Sequence, residues 1–214
     1  TMAIQKSTFR YEIPFMVFVT VVLIALGMTG EYVTRIEGVI LWVLFIVYLL
    51  YLFRLAKQGT TEEDAEKRPI WKLLIFMILG GVLVVWGSDV TVDSATEIAH
   101  MIGLSERFIG LTIVALGTSL PELVTSVVAA RKGNADIAIG NIVGSNIFNI
   151  LFVVGTTALI TPVTFQANFV IDTLIAAAAA ILLWLCVFRK QRLNRTGGII
   201  MLISYAAYFV YLMK

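Results

Sequence analysis

GTSLPELVTS, Gly117 to Ser126, lies inside a long apolar stretch, yet it holds a carboxylate (Glu122), a proline (Pro121) and the hydroxyls of Thr118, Ser119 and Thr125. Hydrocarbon surroundings have no use for these groups. What they are for depends on the company they keep along the chain.

Of the 214 residues, 59% are hydrophobic and 14% charged, and mean hydropathy is +0.94. A soluble domain has about 45–50% apolar and about 25% charged residues. The apolar residues come in long runs, without the period-2 alternation of a transmembrane barrel. The fold class is therefore all-α integral membrane, placed in a multi-pass cell membrane protein and bathed in lipid. A single cysteine, Cys186, excludes an internal disulfide and suggests no thiolate metal site. Neither an enzyme cofactor nor a nucleic-acid partner is expected.

Runs of roughly 20 apolar residues mark spans. Seven are predicted, at 13–29, 38–55, 70–92, 108–129, 137–160, 170–188 and 198–213. The segment 56–69 is an aqueous, charge-rich linker. With the N-terminus placed in the cytoplasm, thirteen of the 16 Lys and Arg residues fall on the inner side, and only Arg35, Arg107 and Lys214 outside. The positive-inside rule then puts the start of the chain in the cytoplasm and its end outside.

Residues 31–54 and 191–214 align without a gap at an offset of 160. Arg35 meets Arg195, Gly38 meets Gly198, Tyr48 meets Tyr208 and Tyr51 meets Tyr211; the same offset carries Phe9 to Phe169, Glu12 to Asp172 and Thr1 to Thr161. Five spans separate the copies, an odd number, so they cross in opposite directions. That is the inverted repeat of many secondary transporters. Spans three to five have no copy within the chain. The expected whole is a ten-helix antiporter, with 1–55 as the last two helices of the N-terminal half and 70–214 as the five-helix C-terminal half. The missing N-terminal half would join as a partner.

On a helix, Ala115, Thr118, Ser119 and Glu122 form one stripe, and Pro121 frees carbonyls around Ala115 to Thr118. A carboxylate, hydroxyls and carbonyl oxygens are hard ligands, suited to Ca2+ and also to Na+. Span five repeats the logic in GNIVGSNIFN, where Asn141, Ser145 and Asn149 recur every four residues and Gly140 and Gly144 allow close helix approach. A charge in mid-bilayer, costing about 2.5 kcal/mol or more, marks a functional site.

GTSLPEL followed by GNIVGSNIFNIL resembles the second alpha-repeat of the cation/calcium exchanger superfamily, and GLSERFIGLTIVAL is similar to the approach to that repeat. The resemblance is strongest over about 70–162. It implies secondary transport, with Na+ entering down its gradient as Ca2+ leaves, by alternating access. It also implies ligands: the Glu122 carboxylate, backbone oxygens of Ala115 and Thr118, hydroxyls of Thr118 and Ser119, and Ser145 and Asn149 from span five. Some relatives, potassium-dependent ones among them, carry Asp where this chain has Asn149, which weakens a case for K+. The family's calcium site takes a carboxylate from each half, so this chain alone is expected to be inactive.

The rivals are a cation/proton exchanger, whose branch has a different sequence around its glutamate; a cation channel or non-transporting subunit; and a hydrolase with Ser119 as nucleophile, which lacks an intramembrane His or Lys base. Asp89, Asp93 and Glu97 are expected at a solvated helix end, Ser105-Glu106 and Asp136 as N-caps of spans four and five, and Glu12 and Asp172 at the interface.

Overall fold

The computed structural model describes residues 2–58, 69–104, 109–165, 167–188 and 191–212. Eight helices occur among them: α1 (Thr8–Met28), α2 (Arg35–Gln58), α3 (Ile70–Met101), α4 (Thr112–Thr118), α5 (Leu120–Arg131), α6 (Ala135–Ile160), α7 (Ala167–Phe188) and α8 (Arg195–Leu212). Four two-residue strands lie between them: β1 (Met2–Ala3), β2 (Tyr32–Val33), β3 (Val163–Thr164) and β4 (Arg192–Leu193). Five helices are long and apolar enough to cross a membrane, and the bent pair α4–α5 makes a sixth. The seventh predicted span is the 18-residue α8, which lies outside that set; its described part stops at Leu212. The third helix also runs past its predicted end, to Met101, because 93–101 holds no Pro or Gly to stop it.

Two compact units divide the chain: Thr1–Thr60 with Ala129–Tyr205, and Thr61–Val128 with Ala206–Lys214. In the first, the duplicated sequence is a duplicated structure. Glu31 and Gln191, 160 residues apart, both take a left-handed backbone (φ 61° and 47°). Each offers its carbonyl to the other copy: Ile4 N–H donates to Gln191 O at 2.9 Å, and Phe165 N–H to Glu31 O at 2.6 Å. The strands cross over in the same way. β1 pairs antiparallel with β4 (Met2 with Leu193, Ala3 with Arg192) and β2 with β3 (Val33 with Val163, Tyr32 with Thr164). One register maps onto the other residue for residue, as a twofold relation requires.

That mapping corrects the offset near the N-terminus. Ile4 corresponds to Phe165, an offset of 161, whereas Phe9 still corresponds to Phe169. The first copy carries one extra residue, and α1 absorbs it in a wide turn over Thr8–Glu12, where Ile13 N–H bonds Thr8 O five residues back.

The core of this unit runs between α1, α2, α6 and α7, with Ile13, Val19, Leu41, Ile147, Leu151 and Val187 fully buried. At the α2–α6 crossing a Cβ on Gly38 would sit 2.9 Å from the Gly155 carbonyl, so the two backbones nearly touch. Below it, Trp42 Nε1 donates to Thr156 Oγ1 at 3.1 Å, and Phe45 packs on Phe148 and Phe152. Arg35 donates to the last carbonyl of α6, Ile160 O, at 3.3 Å. Glu12, in the wide turn, is buried at 8% exposure beside the Thr8 hydroxyl. Asp136 does not cap its own helix; its carboxylate accepts the Gln5 backbone N–H at 3.1 Å and side-chain amide at 3.2 Å. The N-cap position is taken by Asn134, whose side chain makes no capping bond.

Candidate ion site

In the second unit the chain folds the quoted motif into a break. α4 ends at Thr118, Ser119 leaves helical geometry (φ −98°, ψ 1°), and α5 restarts at Leu120, turned by 53°. Pro121 explains the position: as the second residue of α5 its missing N–H falls where a helix start leaves donors unused. A break here places the carbonyl end of α4 next to the amide end of α5, an arrangement that transporters use for binding ions. Glu122 stands in the first turn of α5, where the helix dipole favours negative charge.

The carboxylate is half-buried, and its Oε2 atom is shielded from solvent. Thr118 and Ser119, at the bend itself, are exposed. Thr125, one turn on, donates its hydroxyl to the carbonyls of Pro121 (2.9 Å) and Glu122 (3.0 Å), bracing the start of α5. Gly117 is needed where it is: a Cβ there would run into Val92 of α3. Ala115 supplies backbone within α4.

The other candidate ligands lie in the first unit, on α6. Ser145 is half-buried and donates to Ile142 O at 3.1 Å; Asn149, one turn further, is exposed. Its backbone N–H reaches both Ser145 O and Asn146 O. Asn146 spends its amide on Ile142 O at 2.8 Å. No heavy atom lies within 4 Å of a Cβ placed on Gly140 or Gly144, so the close approach predicted for this pair involves no helix among the described residues. The structure thus groups Thr118, Ser119 and Glu122 at one bend, and Ser145 with Asn149 on one helix in the other unit. Among the described residues no three His, Cys, Asp or Glu side chains converge on a point.

Two features escaped the sequence reading. Wide turns adjoin both groups of candidate residues, at Gly110–Val114 just before Ala115 and at Asn149–Val154 starting on Asn149 itself. Such turns gather at functional sites, but they leave no mark in a single sequence. Ser88 on α3 and Thr112 on α4 are also buried hydroxyls, at 7% and 6% exposure. Their signal was visible as polar residues inside apolar runs. Asp89, Asp93 and Glu97 do form an exposed ridge on α3, inside the helix rather than beyond its end. Ser105 and Glu106 lie outside the described residues.

The chain is similar to known proteins along nearly its whole length. The family described as "Sodium/calcium exchanger protein" matches residues 72–214. CaxA of Alkalimonas amylolytica is 37% identical over 96% of this chain and 68% of its own length. The inner membrane protein YrbG of Escherichia coli K12 is 36% identical over 85% of the chain and 60% of its own. The sodium/calcium exchanger MaX1 of Methanosarcina acetivorans is 39% identical over 66% and 41%. Among solved structures, the sodium-calcium exchanger NCX_Mj soaked with Na+ and Sr2+ superposes with a TM-score of 0.81 at 27% identity, covering 98% of this chain and 67% of that one.

Proposed function

This chain belongs to the sodium/calcium exchanger family, and from that premise we propose that it forms the larger part of a secondary antiporter exchanging Na+ for Ca2+. In this reading the ions are cargo. They are held at the break between α4 and α5 by the Glu122 carboxylate, the Thr118 and Ser119 hydroxyls and the backbone oxygens of Ala115 and Thr118; Ser145 and Asn149 on α6 are the further ligands of this reading. The observation that carries the proposal is the 53° bend at Ser119, with a partly buried carboxylate in the turn that follows it. A straight amphipathic helix would offer no carbonyls there.

Na+ and Ca2+ can share such oxygens because both are hard cations: the carboxylate favours the divalent ion, and neutral hydroxyls and amides suit Na+. Loading one ion species weakens the hold on the other, so the same ligands serve both directions of exchange. Alternating access then consists of opening one or the other face of the bend to water. Ca2+ carries two positive charges and favours carboxylate oxygens, and the donors named here bring a single negative charge. A second, similar half therefore completes the site, and residues 1–214 alone do not exchange ions. In this reading the chain starts in the cytoplasm and ends outside, an orientation supported by its Lys and Arg distribution. The stretch up to residue 55 then closes one half, 56–69 links the halves, and 70–214 forms the other.

The test is uptake of labelled Ca2+ into vesicles loaded with Na+, by the complete exchanger. Glu122→Gln lowers gradient-driven uptake by at least about tenfold, the scale of losing the charged oxygen ligand, while Glu97→Gln leaves it intact. Uptake by Glu122→Gln equal to that of the unaltered protein would sink the proposal.

A further inference from the structure

The first unit holds a carboxylate of its own that is withdrawn from solvent. Glu12 closes the wide turn of α1, and the Thr8 hydroxyl, at the other end of that turn, donates to its side chain. Tyr11 and Phe15 bracket Glu12 along α1, and each holds a tyrosine ring of α2. Tyr11 meets Tyr51 with centroids 6.2 Å apart, and Phe15 stacks on Tyr48 at 5.3 Å. The carboxylate thus stands between two phenols, and its charge reaches both. Glu12 and Tyr48 are each 8% exposed, and the Tyr51 hydroxyl is shielded from solvent. Among the described residues neither phenol makes a hydrogen bond, and no Lys or Arg pairs with Glu12.

The repeat keeps this trio. The offset of 160 carries Glu12, Tyr48 and Tyr51 to Asp172, Tyr208 and Tyr211. Tyr208 stacks on Tyr211 at 6.4 Å and 22°, as Tyr48 does on Tyr51 at 6.2 Å and 24°. Elsewhere the same offset turns Glu37 into Gly197 and Trp42 into Leu202. Packing alone would accept phenylalanine at the tyrosine positions, so what the copies share is a set of oxygens.

We propose that Glu12, Thr8, Tyr48 and Tyr51 form a structural site for a small monovalent cation such as Na+, which fastens the start of α1 to α2. Every ligand is a hard oxygen: a carboxylate, a hydroxyl and two phenols. One negative charge among neutral oxygens balances one positive charge, whereas a divalent ion calls for further carboxylates. A buried carboxylate ionised without a partner is costly, and a buried hydroxyl without a hydrogen bond calls for an ion or a water. A cation between them answers both demands. A proton on Glu12 serves one phenol at most, and a water leaves the charge unbalanced. The site rests on the packing of α1 against α2, and on nothing about which ions the break between α4 and α5 holds.

The experiment melts the complete exchanger in detergent micelles, in NaCl or in choline chloride at equal pH and ionic strength. Glu122→Gln is present throughout, so that the ion site at the break and this one read out separately. The rise in melting temperature that Na+ gives over choline is about 3 °C smaller when Glu12→Gln is added. Tyr51→Phe keeps the charge and the ring, and raises the Na+ concentration for half of that Glu12-dependent rise by about fivefold, the scale of one neutral oxygen contact. Na+ also perturbs the tyrosine absorbance, and Glu12→Gln removes the perturbation. An equal Na+ rise with and without Glu12→Gln overturns the proposal, as does a Glu12-dependent rise indifferent to Tyr51→Phe. So does a Glu12-dependent rise that comes from acidification and not from Na+, since the group would then hold a proton.

Discussion

The copy formed by α1 and α2 and the copy formed by α7 and α8 start from related sequences and meet different fates. α2 is sheathed by α6; the corresponding face of α8 is open. Gly27, near the end of α1, yields its space to the Phe165 ring, whereas the second copy has Val187 in place of Gly27, and the first has Ile4 in place of Phe165. α2 opens with a capping box in which Glu37 accepts the Thr34 N–H at 2.6 Å and the Thr34 hydroxyl at 2.8 Å; α8 opens with Asn194 and has Gly197 where Glu37 would be. The backbone relation survives because it rests on carbonyl-to-amide exchange between copies, which any side chain permits. The side chains have drifted wherever the neighbours differ.

The largest expected break in the comparison is at the paired glycines. Gly38→Leu forces a side chain between two backbones, with Cβ 2.9 Å from a carbonyl that cannot turn aside. It should lower the stability of the chain in micelles by about 3 kcal/mol, at the upper end for overpacking. Gly198→Leu, in open space, should stay within about 0.5 kcal/mol. Equal effects in thermal melts of the two variants would mean that the open face of α8 is closed by something in the isolated chain.

A smaller break tests the exchanged pair. Gly27→Val drives a side chain into the Phe165 ring, which is itself the end of a movable side chain, so the cost is about 1–3 kcal/mol. Adding Phe165→Ile transplants the Ile4 and Val187 pair of the other corner and should recover at least about half of that loss. If the double variant melts no higher than Gly27→Val alone, the two corners are not equivalent.

Much of this was legible in sequence because it was written in residue types with strong physical preferences. Arg35 with Arg195 and Gly38 with Gly198 disclosed the repeat; Pro121 disclosed the break. The strand exchange was not legible, since two-residue strands such as Met2–Ala3 have no periodicity to detect. Nor was the slip from offset 160 to 161, because a wide turn over Thr8–Glu12 absorbs the extra residue without a glycine or proline to mark it. The same blindness hid the wide turn that begins on Asn149. Asp136 was misjudged for another reason: its partner Gln5 is 131 residues away in sequence, beyond any local capping rule.

The smallest effect tests what the copies share. Glu31 and Gln191 hold left-handed backbone that non-glycine residues adopt at a cost, and they hold it so that their carbonyls can accept Phe165 and Ile4. Glycine adopts that conformation freely but loses more entropy on folding. The net gain from Glu31→Gly or Gln191→Gly should be about 0.5 kcal/mol each, and the two should add in the double variant, because the corners share no residue. A gain at one corner with a loss at the other, in melts under identical conditions, would show that one of these backbones is held by its side chain and not by the hydrogen bond across the twofold.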